Sequence, residues 1–367
     1  MSSSDTSEGW LRPKSVDDVV TAIRTAGENS TGIRLYGVQP ANLPVAHRVT
    51  SLLMDDYRHV VDYPARDMTI TVQAGLQMSE LTRLLADEGQ QLPIDCFNPA
   101  MAIGAVVAAD ESGPRRFGYG TLRDYVIGIE AVDGRGRVFH AGGRVVKNVA
   151  GYDLCRLLTG SRGALAAITQ ITFRTKPMPV SSRLAVFRYA DTNQMQAALE
   201  RLNTTDATPV ILDFAVAPDG GELRIGVEGT KATCDWQLRE LTKDCEADSV
   251  DTELDTVEQY CSSFGSAWTC PTLVVRPSQV VSAARMLLER GCVSTGHAGT
   301  GILYPARPSD AEDAADAARE VATELGGQAT SWDHDHPAAS DSPLTQQLLR
   351  TFDPHSVFRW KSPGAEA

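Results

Sequence analysis

The sequence predicts an α+β chain of two domains, and three observations carry that prediction. Its 367 residues exceed one small module and suit two domains of ordinary size. Strand-like and helix-like patterns succeed one another along the chain, with single helices between strands beyond residue 180. Lys176-Pro177-Met178-Pro179, followed by Ser181-Ser182, interrupts both periodicities and sets a boundary near residue 179.

Residues 1–9 are polar and acidic and read as a disordered tail, without the basic start and apolar stretch of a secretory signal. Ser15 then opens a helix, with Asp18 three residues later as the partner in a capping box. Val16, Val19, Val20 and Ile23 follow at helical spacing, and Gly27 marks the expected stop. Residues 69–73 alternate as a strand does and end at Gly75. A second amphipathic helix is expected over 79–88, with Leu81, Leu84 and Leu85 on one face.

Between 98 and 165 glycine is dense and helical periodicity poor, so loops and strands are expected there. Strands over 125–132 and 137–140 flank the turn Asp133-Gly134-Arg135-Gly136. Residues 164–175 close this half as a strand. Beyond the boundary, strands are expected over 184–189, 210–216, 222–227, 272–276 and near 299–304. Helices are expected over 193–202, 231–244, 278–290 and 309–325.

Charge narrows the function. Lys plus Arg is 34 and Asp plus Glu is 47, a net charge of −13. Such a surface repels phosphate backbones and anionic lipid, which argues against nucleic-acid binding. The densest basic spot, Pro114-Arg115-Arg116, is short. No apolar run approaches the roughly 20 residues that span a bilayer. Seven cysteines, at 96, 155, 234, 245, 261, 270 and 292, show no two-residue spacing of the zinc or iron–sulfur kind. The chain reads as cytoplasmic, with reduced thiols and no metal.

Several runs are specific. They are Leu92-Pro93-Ile94-Asp95, Ala102-Ile103-Gly104-Ala105, Ser112-Gly113-Pro114-Arg115-Arg116 and Tyr119-Gly120-Thr121-Leu122-Arg123-Asp124. The stretch 142–154 follows, with Lys147-Asn148 and Gly151-Tyr152-Asp153-Leu154, then Ser161-Arg162-Gly163-Ala164-Leu165 and Pro177-Met178-Pro179. In this order the stretch 91–179 resembles the FAD-binding domain of the vanillyl-alcohol oxidase / p-cresol methylhydroxylase (PCMH) family. Within it the chain looks most like the FAD-binding E subunits of glycolate oxidases. Weaker echoes lie at Gly296-His297-Ala298-Gly299-Thr300-Gly301 and Phe352-Asp353-Pro354.

The resemblance implies a two-subdomain PCMH-type FAD-binding domain over 10–179. An antiparallel-sheet-plus-helices, ferredoxin-like cap would follow over 180–350, with 351–367 returning toward the first domain. It implies FAD contacts at Gly37, Pro93, Ala102, Ile103, Gly104 and Ala105. It further implies them at Ser112, Gly113, Tyr119, Gly120, Asp124, Gly163 and Ile168. Glycines admit a pyrophosphate close to free N–H groups, and Asp124 would tie its loop to backbone N–H groups.

The activity implied is an FAD-linked oxidoreductase, or the flavin-binding subunit of one, oxidising glycolate or a similar 2-hydroxy acid. Electrons would leave through an iron–sulfur partner subunit, beside a sister flavin subunit. No residue stands out as the catalytic acid or base. The turn around Lys147, Asn148 and Asp153 reads as structural. His297 lacks a second ligand in its motif, which leaves it to anchor its loop or to face a substrate. His334 and His336 read as a solvated loop.

Departures from the family pattern support a second reading. A Gly-rich first loop is replaced by Arg34-Leu35-Tyr36-Gly37-Val38-Gln39-Pro40, where Pro40 has no N–H to offer. Glu111 stands where the pattern has Asn, and Ala105 and Ala166 where it has Gly. The window 33–41 holds no His or Cys for a covalent flavin bond. FAD would then be held non-covalently through eroded contacts, and the chain would be a non-catalytic subunit supporting a catalytic sister.

Overall fold

The computed structural model describes residues 10–37, 48–143, 152–252, 256–263, 271–307, 311–330 and 342–358. The expected tail 1–9, the Lys147-Asn148 turn, Pro40, His334 and His336 lie outside the described residues. Two compact units result. The first takes the described residues of 10–111, 121–178 and 342–358, and the second takes those of 112–120 and 179–330.

These differ from the expected spans 10–179, 180–350 and 351–367 at two places, each with a bonding reason. Gly118 N–H donates to Val210 C=O at 3.1 Å, which ties 112–120 to the second unit. Gly134 N–H donates to Phe352 C=O at 2.8 Å, which ties the helix Pro343–Phe352 to the first.

In the first unit, β1 (Trp10–Leu11), β2 (Gly32–Tyr36) and β3 (Val49–Leu53) form a parallel sheet in the order β1-β3-β2. The helix Val16–Glu28 packs on it, burying Val19, Ile23 and Ala26 against Ile33, Leu52 and Val357. Ser15 caps this helix: Asp18 N–H donates to its hydroxyl, while the Asp18 carboxylate accepts from Ser15 N–H. The helix runs through Gly27 to Glu28, with Asn29 as its C-cap, because Ala22 and Ala26 continue the buried stripe.

The remaining strands of this unit are β4 (Val60–Asp62), β5 (Thr69–Gln73), β6 (Gln90–Gln91), β7 (Val126–Asp133), β8 (Val138–Gly142), β9 (Ala166–Arg174) and β10 (Lys176–Pro177). Five of them make an antiparallel sheet, β4-β5-β9-β7-β8, and β6 pairs with β10. Three short helices, Ile103–Ala109, Arg116–Tyr119 and Leu154–Leu158, occupy the stretch expected to hold only loops and strands. In the first, Ala105, Ala108 and Ala109 favour a helix, whereas Gly104 and the β-branched Ile103, Val106 and Val107 do not. Burial of Ile103, Val106 and Val107 decides its conformation.

In the second unit, eight strands form one antiparallel sheet: β11 (Ser181–Tyr189), β12 (Ile211–Ala217), β13 (Gly220–Gly229), β14 (Ser249–Asp251), β15 (Thr272–Val274), β16 (Val293–His297), β17 (Ile302–Ala306) and β18 (Gln328–Thr330). Their order is β14-β11-β13-β12-β16-β17-β15-β18. A strand-helix-strand-strand-helix-strand path is run twice, and the second strands of the two runs, β12 and β16, join the halves. Helices Thr192–Leu202, Lys231–Cys245, Val280–Glu289 and Ala311–Leu325 enclose a core that includes Phe187, Phe214, Ile225, Leu241, Leu287 and Leu303.

The single strand expected near 299–304 is instead a hairpin of β16 and β17, turning at Ala298–Thr300. Val-Ser-Thr-Gly-His carries one large apolar residue, so β16 shows no hydrophobic alternation. No helix among the described residues is long and apolar enough to cross a membrane.

Candidate functional site

Strand β2 delivers Gly37 to a cavity of about 360 Å³, lined also by Arg12, Asp55, Asp56, Arg58, Gly75 and Gln77. Arg12 is held there by Asp55 at 3.3 Å. Beside it, Tyr36 packs edge-on to Trp10 with centroids 5.1 Å apart. A Cβ built on Gly37 would stand 2.3 Å from Ala102 Cβ, so the loop closes directly onto the start of the helix Ile103–Ala109.

Four of the expected contacts, Ala102, Ile103, Gly104 and Ala105, are thus brought beside Gly37. Their amides are engaged: Ile103 N–H donates to Leu76 C=O at 2.8 Å, Gly104 to Ala74 at 2.7 Å, and Ala105 to Ala102 at 2.9 Å. Gly163 differs. It has φ 72°, and nothing lies within 4 Å of where its Cβ would be. Its turn rests on the same helix, since Gly160 N–H donates to Val107 and Arg162 N–H to Ala108. Pro93 is buried, and Ile168 is buried in β9. Asp124 accepts Thr121 N–H at 2.9 Å and so fixes its own turn.

Glu111 ends this region and is 1% exposed. One carboxyl oxygen accepts Phe97 N–H at 2.8 Å; the other is buried without a hydrogen-bond partner among the described residues. Burial pushes this carboxyl's pKa up, against the opposing pull of the Phe97 amide. Burial, reinforced by Glu111, also pushes the neighbouring Cys96 thiol up.

A raised carboxyl pKa means that the fold holds the proton more tightly than the unfolded chain does. The stability this contributes is present below the ordinary carboxylate range and is lost as pH rises through the raised value. Glu111→Gln is therefore expected to leave melting unchanged at acid pH and to raise it at pH 8. The expected gain is about 2–4 °C, which corresponds to about 1 kcal/mol in a domain of this size. Parallel melting-versus-pH curves for the two proteins would refute it.

Ser112, Gly113, Tyr119 and Gly120 belong to the second unit. Arg116 donates to Ser112 Oγ at 3.2 Å, and Tyr119 OH donates to Glu228 at 2.6 Å.

His297 ends β16 directly opposite Asp213 of β12. Its Nδ1 lies 2.7 Å from Asp213 Oδ1, while Tyr260 OH donates to Oδ2 at 2.8 Å. All three residues are buried, and the Tyr304 ring meets the imidazole edge-on. Burial and the Asp213 charge both push the Tyr260 phenol up, so it stays a donor. Of the two roles open to His297, this bonding supplies the anchor. Asp213 and Tyr260 gave no sequence signal, because their partners lie 84 and 47 residues away. Among the described residues no group of three or more His, Cys, Asp or Glu is placed to hold a metal.

Residues 8–142 match a family model described as an FAD binding domain. Glycolate oxidase subunit GlcE of Escherichia coli (strain K12) is 37% identical over 128 residues, 34% of this chain and 37% of that protein. Glycolate oxidase subunit GlcD of Bacillus subtilis (strain 168) is 24% identical over 326 residues, 76% of this chain and 69% of that protein. The match thus spans little more than a third of GlcE. A solved alkyldihydroxyacetonephosphate synthase superposes with a TM-score of 0.72 at 16% identity, over 95% of this chain and 75% of that one, a likeness of fold.

Proposed function

We propose that this chain, whose residues 8–142 match an FAD binding domain, is an FAD-linked oxidoreductase subunit of the PCMH type acting on glycolate or a similar 2-hydroxy acid. The observation that carries this reading is the arginine-bearing cavity at Gly37, inside the matched span. Arg12, Arg58 and Gly37 line it beside Asp55 and Asp56, while Gly75 N–H is already engaged, donating to Tyr57 C=O at 2.9 Å. The two arginines suit a pyrophosphate, and the open backbone at Gly163 admits a second close approach. The residues present therefore fit the cofactor.

Bound FAD supplies the two-electron acceptor for oxidation of the hydroxyl-bearing carbon, and the protein supplies binding and orientation. Arg12 and Arg58 would offset phosphate charge, with Asp55 keeping Arg12 in place. Glu111, where its proton is retained, would add no negative charge near a dinucleotide. Hydroxy-acid substrate, sister flavin subunit, iron–sulfur subunit, non-covalent attachment and a cytoplasmic setting all belong to this proposal. Likeness to GlcE and GlcD supports the multi-subunit part. A ferredoxin-like cap is the matching reading of the second unit.

One observation favours the alternative, a non-catalytic subunit of weak FAD affinity. Gly37 and Gly104 face Ala102 and Ala74 rather than open space, and the amides of Ile103 and Gly104 are already engaged. The absorption spectrum of the purified chain decides between the two. Flavin bands with one FAD per chain are expected. At a hundredfold excess over Kd, FAD would stabilise the fold by about 2.7 kcal/mol. A colourless protein whose melting ignores added FAD would establish the alternative.

A further inference from the structure

We propose that the first unit carries a separate anion site, a groove between the β7–β8 turn and the helix Pro343–Phe352. In it Arg135 and Arg350 hold a small polyanion bearing carboxylate or phosphate groups. The groove shares no lining residue with the cavity at Gly37 and draws nothing from the flavin reading.

The groove encloses about 580 Å³ and is lined by Arg135, Pro343, Gln346, Gln347, Arg350 and Thr351. Its size falls within the range of about 300–1,000 Å³ of small-molecule sites. All six residues belong to the first unit. The helix buries Leu349, and residues 343, 346–347 and 350–351 recur at helical spacing along the flank that lines the groove. The opposite wall comes from a turn more than 200 residues earlier, where Arg135 lies 216 positions from Thr351.

Charge decides what the groove takes. Its lining holds two guanidinium groups and no carboxylate, on a chain of net charge −13. Asp133, the turn's own carboxylate, is already engaged. Its Oδ1 accepts Arg135 and Arg137 N–H, both at 2.9 Å, and its Oδ2 faces the Arg137 guanidinium at 2.7 Å. Asp353 is fully buried and accepts Val357 and Phe358 N–H. Arg24 adds a further cation beside the turn, donating to Gly136 C=O at 3.0 Å.

Arg135 Nη1 stands 4.0 Å from Asp133 Oδ2 and donates to Thr351 C=O at 2.9 Å. That bond sets the guanidinium across the C-terminal end of the helix, where a cation is favoured. A guanidinium has five N–H donors, so most of this fork stays available. The Arg350 guanidinium has no hydrogen bond or ion pair among the described residues. Two forks beside two side-chain amides, with no negative charge in the lining, match the paired oxygens of carboxylate or phosphate groups.

The test is calorimetric titration of the full-length chain with citrate and, separately, with inorganic pyrophosphate, at constant ionic strength. The tighter of the two anions tells whether carboxylate or phosphate is the favoured source of the charge. Arg350→Gln is expected to raise the Kd about tenfold, the loss of one charge-assisted contact. Arg350→Lys should fall between, because it keeps the charge without the fork. Replacing an exposed Arg350 should leave the melting temperature of the ligand-free chain unchanged, so the fold itself is not at stake. Arg58→Gln is the control for anion capture at the Gly37 cavity and should leave the Kd within about twofold. Lack of saturable binding of both anions would overturn the site. So would a Kd unchanged by Arg350→Gln, or an equal weakening by Arg58→Gln. None of these results bears on whether the chain binds FAD, which its absorption spectrum reads independently.

Discussion

Asp353→Ala is expected to destabilise the protein by about 3–5 kcal/mol, read as a lowered urea midpoint by circular dichroism. The Asp353 side chain is fully buried, and its two oxygens accept Val357 N–H at 2.8 Å and Phe358 N–H at 3.0 Å. Those bonds curl 353–358 into a hook. The hook delivers Val357 to the core beside Val19 and Ile23, and its carbonyl accepts Ile33 N–H at 2.8 Å. Alanine would strand two backbone donors, each charge-assisted bond being worth roughly 1.5–3 kcal/mol. Asp353→Asn keeps one acceptor and should cost about half as much. A loss under about 1 kcal/mol for alanine would show that the hook survives without its carboxylate.

A comparable loss, about 3–5 kcal/mol, is expected for Asp213→Ala in the second unit. This carboxylate sits at the seam between β12 and β16 and bonds Tyr260 OH and His297 Nδ1. Removing it leaves a phenol and an imidazole buried without that acceptor, and the sheet cannot open to water without parting its two halves. Adding Tyr260→Phe to Asp213→Ala removes one of the stranded donors. The double variant should therefore recover part of the loss and be more stable than Asp213→Ala alone. Strict additivity of the two changes in chemical denaturation would argue that the pair is not coupled.

Where side chains close in sequence decide the geometry, the sequence was readable. Ser15 and Asp18 marked a helix start three residues apart, and the alternation of 69–73 marked a strand. The helix Ile103–Ala109 was hidden because Gly104 and three β-branched residues offset its alanines, leaving burial to decide. Strand β16 was hidden because Val293 is its one large apolar residue and no alternation follows it. The candidate site was legible as a set of glycines and short runs. Three features were not: that Gly37 closes on Ala102, that Glu111 is sealed against Phe97, and that 112–120 is lent to the other unit. Each depends on what lies across from a residue rather than beside it.

Neither unit is a continuous stretch of chain, and this bears on how the protein is made. Val357, which fills the core under the first helix, leaves the ribosome long after that helix and its sheet have emerged. The N-terminal half must therefore wait, its interior incomplete, while the whole of the eight-stranded unit is synthesised. A translation product halted before residue 353 would carry an open hydrophobic seam, and quality-control proteases would meet it first.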